Sequence, residues 1–133
     1  MNLPGQGDYI DIHVHDGKPS AGTFILESLM AHEEKMPENI NGIAYTYGIH
    51  PWFLNESNYL QQIRSVENIA KFPGIAAIGE AGFDKLRGPS PELQARVFEE
   101  QVRISEIQTN ACIIQSLEII AEGCIHNIGV FCD

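Results

Sequence analysis

In the stretch IDIHVHDG, residues 10–17, the polar Asp11, His13 and His15 alternate with Ile10, Ile12 and Val14. Period-two alternation places the three polar side chains on one face of a strand. Histidines two apart on a strand have Cα atoms roughly 6.6 Å apart and parallel side chains, a span that two imidazoles can close around one cation. A strand that opens a parallel sheet is expected to be buried, and buried imidazoles need partners; Asp11 would either orient an imidazole from behind or ligate directly. Further chemistry-bearing residues stand where β-rich apolar segments stop: Gly48-Ile49-His50-Pro51-Trp52, Gly79-Glu80-Ala81-Gly82-Phe83-Asp84 and Gln115-Ser116. Glu80 lies where glycines make the backbone permissive, and a carboxylate pinned there can bind or bridge metals, or cap a loop. His50, before Pro-Trp, either packs in a turn or touches substrate or metal. His32, beside Glu33 and Glu34, reads as a solvated residue on a charged helix face.

The elements that must position these residues alternate. After the opening strand and a Gly-Pro-Ser loop, the spacing of TFILESLMAHEEK (23–35), closed by Pro37, predicts a helix. GIAYTYGI (42–49) predicts a strand covered on both faces. Asn55 is placed to cap a second helix, with Leu60, Ile63, Val66 and Ala70 on one face until Phe72-Pro73-Gly74 stops it. IAAIG (75–79) predicts a short buried strand, Ser90-Pro91 opens a third helix over PELQARVFEEQVRISE, and ACII (111–114) predicts a fourth strand. Strands alternating with helices give an α/β fold of βαβ units with a parallel sheet, whose functional residues gather at the C-terminal ends of the strands.

Composition narrows the function. A chain of 133 residues suits one domain, expected over 1–133, and 44% hydrophobic content suits a globular fold. No apolar run reaches the ~18 residues of a membrane span. MNLPGQGDYI lacks the basic and apolar regions of a signal peptide, so a cytoplasmic location is expected and no membrane partner. A net charge of −10 gives little nonspecific attraction for nucleic acid, so such a substrate would be drawn in locally, by a metal ion or by the basic pair Lys85 and Arg87. Cys112, Cys124 and Cys132 have no C-x-x-C spacing, which argues against a disulfide framework or a zinc knuckle.

IDIHVHD, YGIHPW, AIGEAGFDK and ELQARVFEEQVRISE resemble, in order and spacing across residues 8–106, the TatD family of metal-dependent hydrolases, amidohydrolase-like TIM barrels. The resemblance implies a partial TIM barrel, roughly the first half of a (βα)8 topology. It also implies phosphodiester hydrolysis in DNA, or in a small phosphoester, by water that one or two divalent ions (Zn, Mg or Mn) activate. On that footing His13, His15 and Glu80 are the metal ligands, and Glu80, Asp84 and His50 the catalytic residues.

The resemblance weakens toward the end of the chain. Where the family has a histidine closing the fourth strand, this chain has Gln115, a poorer ligand for zinc-type metals. Residues 107–133 are atypical: His126 follows Gln115 too closely to be the next family histidine, and Asp133 is no convincing stand-in for the late aspartate. A half-barrel leaves strand edges unpaired, including ACII. Three accounts compete: a frame shift near residues 107–115, which is preferred, a homodimer that pairs the exposed edges, or a degenerate relative. Two other functions stand beside nuclease activity: a catalytically dead binding module, and amidohydrolase-like hydrolysis of a small substrate.

Overall fold

A computed structural model describes residues 3–108 and, beyond them, the backbone of four short strands at 112–115, 118–120, 123–125 and 129–131. The elements run β1 (Tyr9–Val14), β2 (Thr23–Met30), β3 (Ile43–Gly48), α1 (Tyr59–Ile69), β4 (Ile75–Ala81), α2 (Pro91–Ile107), β5 (Cys112–Gln115), β6 (Glu118–Ile120), β7 (Gly123–Ile125) and β8 (Gly129–Phe131). Single 3-10 turns follow β2 at Ala31–Glu33 and β3 at Pro51–Phe53.

β1 to β5 lie side by side in chain order and all parallel, and β8 runs antiparallel along β5. This is an α/β partial barrel matching the first half of a TIM barrel. β8 therefore covers the flank of β5 that a bare fourth strand would expose, while β6 and β7 form a separate hairpin. His126 and Asp133 lie outside the described residues.

Two sequence expectations are corrected. The segment 23–35 is not a helix: Thr23–Met30 forms β2, paired on both sides, and only Ala31–Glu33 turn helically. A strand buried on both faces carries apolar residues without alternation, so Phe24, Ile25, Leu26 and Leu29 mimic a helical stripe. The β-branched Thr23 and Ile25 were the contrary signal. Only residues 15–22 link β1 to β2, fewer than the dozen or so residues usual in a parallel crossover, which also hid the strand. Second, β1 is an edge rather than a buried strand, with Ile10 and Ile12 each 47% exposed.

The core lies between the sheet and the two α-helices. β2, β3 and β4 contribute Ile25, Leu29, Tyr45, Tyr47 and Ile78; α1 contributes Ile63 and Val66; α2 contributes Leu93, Val97 and Ile104. On the opposite face of the sheet a patch of small and polar residues, Ser28, Ala44, Thr46 and Ala77, lies in neighbouring registers. Ser90 caps α2 by accepting from the Leu93 N–H at 3.2 Å, as its place before Pro91 predicts. α1 begins at Tyr59, and Asn55 instead holds the turn before it, its Oδ1 accepting from the N–H groups of Ser57 and Asn58.

β3 and β4 meet most tightly at their C-terminal ends. A Cβ on Gly48 would sit 2.5 Å from the Gly79 carbonyl carbon and 2.8 Å from the Glu80 carbonyl oxygen, both rigid backbone. We expect Gly48→Ala to destabilise the chain by at least ~2 kcal/mol and to lower its melting temperature by on the order of 10 °C. Thermal melts followed by circular dichroism check this, and an unchanged Tm would show that the strand ends can separate freely.

Candidate metal centre

Three of the strand-end residues converge. His13 and His15 come from the end of β1 and Glu80 from the end of β4, and one ligand atom of each lies within 4.8 Å of the others. His13 Nε2 is 3.3 Å from Glu80 Oε1. The two imidazoles stand edge to face with centroids 5.2 Å apart. Regular alternation does not produce this: the β1–β2 register shifts between Asp11 and Val14, and His13 has φ 133°, a conformation costly for a side chain bearing a Cβ. The distorted strand end turns His13 across the sheet, whereas Asp11 is exposed and outside the cluster.

The polar sheet face supports His13 from behind. Its Nδ1 lies 3.5 Å from Ser28 Oγ, a long contact, and Ser28 Oγ lies 3.2 Å from Thr46 Oγ1. Glu80 is buried. An open cavity of ≈ 820 Å³ beside the cluster is lined by His15, Asp16, Ser28, Glu33 and Lys35. Lys35 Nζ donates to Asp16 Oδ1 at 2.7 Å and to the buried Glu27 Oε1 at 2.8 Å. These hydrogen bonds hold its ammonium charged far above the usual lysine range and lower the Asp16 carboxyl.

A second group occupies the rim between β3 and β4. His50 is buried, and its Nδ1 accepts from the Trp52 N–H at 3.1 Å, which leaves the imidazole proton on Nε2. Burial is the main force lowering its pKa below 6.5; the carboxylates of Glu80 and Asp84 oppose that shift, and His32 and Arg87 add to it. Asp84 is buried too, and burial alone would raise its carboxyl. Hydrogen bonds from Trp52 Nε1 and from the N–H groups of Leu86 (2.7 Å) and Arg87 (3.0 Å) outweigh burial, so it is lowered. Its carboxylate thus organises the loop after β4.

Two glutamines of α2 fix both strand ends. Gln101 Oε1 accepts from the Ile49 N–H at 2.8 Å, next to His50. Gln94 accepts from the Asp84 N–H at 2.8 Å and donates to the Asp84 carbonyl at 3.0 Å. Their signal in the sequence was a pair of amides seven residues apart on an otherwise apolar helix face, beside Leu93, Val97 and Ile104. His32 is not solvated as expected: its ring stacks on Phe53 at 3.9 Å, and its buried Nδ1 has no hydrogen-bond partner among the described residues.

Residues 20–116 match the family described as TatD related DNase. The chain belongs to that family. The matched span contains Glu80, His50, Asp84 and Gln115 but begins after His13 and His15, so only geometry brings those two to Glu80. No curated protein and no solved structure matches the chain.

The donor set fits the divalent metal that the TatD family implies. Ligand atoms about 2.0–2.2 Å from a tetrahedral cation lie roughly 3.3–3.6 Å apart, the spacing His13 Nε2 and Glu80 Oε1 already have. Bringing all three atoms onto such a sphere takes movements of an ångström or so within the 4.8 Å cluster, in exposed histidines of an edge strand.

The neutral state of buried His50 ties stability to pH. Its folded pKa lies below the 6.5 of an unperturbed histidine, so on acidification the unfolded chain protonates first. That contribution is fully present above pH 6.5 and is lost as pH falls through the folded value. Melts between pH 7.5 and 5 should show Tm falling on acidification, with a shallower fall in His50→Asn. Equal slopes in the two proteins would count against a buried neutral imidazole.

Proposed function

We propose that this chain is a metal-dependent hydrolase of phosphodiester bonds in DNA, with His13, His15 and Glu80 holding a divalent cation such as zinc, magnesium or manganese. The observation carrying this reading is the convergence of two imidazoles and a buried carboxylate at the strand-end rim of a TatD-family chain. When bound, such a cation supplies Lewis acidity to a phosphoryl oxygen and lowers the pKa of a water.

The chain's own groups set the stage for that chemistry. Glu80 offers a negative charge to offset the cation at the edge of the core. Ser28 braces His13 with its Nε2 facing Glu80. His50 presents a neutral N–H on the same rim, a donor that can hold a phosphoryl oxygen without adding charge. Asp84 acts through Trp52 and the 86–87 backbone and is a positioning residue. Gln115 ends β5 in register with Ala81, where the resemblance expects histidine; an amide carbonyl there suits a hard cation such as magnesium or manganese better than zinc. The net charge of −10 favours a short phosphoester or a DNA end over a long duplex.

The second reading, a binding module, draws on the open β1 edge, where Tyr9, Ile10 and Ile12 are exposed. One experiment separates the two. Elemental mass spectrometry on protein purified without chelator should find near-stoichiometric divalent metal, lost in His13→Ala/His15→Ala together with cleavage of a short single-stranded oligonucleotide. Wild-type protein carrying no metal, or cleavage surviving in the double variant, would overturn the hydrolase reading.

A further inference from the structure

A chain this acidic must attract a phosphodiester through a few well-placed cations, and two of its eight lysines and arginines are already paired with carboxylates. Lys35 is closed between Asp16 and Glu27, and Arg103 lies between Glu67 and Glu100 on the helices. Arg87 differs. Its guanidinium carbon stands 4.2 Å from the centroid of the Trp52 ring, and among the described residues no carboxylate forms an ion pair with it.

The platform beneath Arg87 is fixed from several sides. The Trp52 indole N–H donates to Asp84 Oδ2, and its backbone N–H donates to His50 Nδ1. The Arg87 N–H donates to the other oxygen of the same Asp84 carboxylate. Gly88, with φ +102°, lies so close to the Pro51 carbonyl oxygen that a Cβ would come within 2.7 Å of it. The loop carrying Arg87 is therefore seated on the turn after β3, and both are tied to one buried carboxylate.

Stacking uses the face of a guanidinium and leaves the N–H fork at its edge, which matches two oxygens of a phosphate. The position suits the candidate centre, because Arg87 follows β4, whose end carries Glu80, and Trp52 follows β3, whose end carries His50. The charges of Arg87 and Glu80 both reach His50.

We propose that Arg87, stacked on Trp52, forms an anion subsite that holds a non-bridging phosphate of the substrate beside the His13/His15/Glu80 cluster. The identity of that ligand rests on the phosphodiesterase reading, whereas the subsite can be measured without it.

Trp52 is the chain's one tryptophan, so its fluorescence reports directly on the stacked guanidinium. Metal-free protein in chelator would be titrated with thymidine 5′-monophosphate and with inorganic phosphate, comparing wild type, Arg87→Met and Arg87→Lys. The subsite predicts a saturable change in Trp52 emission, a dissociation constant raised roughly 10- to 100-fold in Arg87→Met and partial recovery in Arg87→Lys, with thermal melts like wild type. Equal binding by all three, or no saturable response in wild type, overturns the subsite. A protein without metal or cleavage activity that still binds phosphate through Arg87 retains the subsite and loses only the hydrolase reading. If metal and cleavage are present but KM and the titration ignore Arg87→Met, the subsite alone falls.

Discussion

The close approach of β3 and β4 at Gly48 and Gly79 is the constraint on which the rim depends. A carbon added to Gly48 would overlap the Gly79 and Glu80 backbone, so His50 and Glu80 are delivered to neighbouring places before any side-chain interaction is counted. That proximity puts the two in each other's field, where the Glu80 charge partly offsets the burial of His50. The glutamines of α2 secure this arrangement from outside the sheet. Gln101 holds the backbone at Ile49 and Gln94 holds it at Asp84, so helix packing over Leu93, Val97 and Ile104 becomes positional control of two loops. Buried amides in such a core are tolerated because each finds backbone partners.

The two rim groups differ in how firmly they are held. The His50–Trp52–Asp84 group is enclosed and its hydrogen bonds interlock. His13 and His15 lie on an exposed strand at the edge of the sheet, where His13 has a long contact to Ser28 and a 3.3 Å approach to Glu80. Rigid positioning thus sits on the core side, and adaptable ligands on the open side. A cation site needs that adaptability, because its donors must close onto a sphere smaller than their present spacing.

Much of this was legible in the residues. The buried strands at 43–48 and 75–81, the Ser90-Pro91 helix start and the gathering of polar residues at strand ends all follow from local pattern. β2 was not legible, because burial on both faces erases the alternation that marks a strand, and its link to β1 is too short to suggest a parallel neighbour. The exposure of β1 was missed because nothing local in IDIHVHDG tells an edge from a centre. The β1 irregularity that turns His13 toward Glu80, the Asp84 loop and the Arg87–Trp52 stack are tertiary facts: their partners lie from three to dozens of residues away.

β1 is joined to the sheet on one side only, through β2, yet it supplies both imidazoles of the cluster, while the carboxylate comes from β4, three strands further in. Any ion shared by these three groups would act as a clasp across four strands, β1 to β4. Its affinity would then contain the free energy of holding the edge strand down, since a frayed β1 carries two of the three ligands away. Whatever covers that edge would tighten ion binding without touching the ion, and the ion in turn would favour whatever covers the edge.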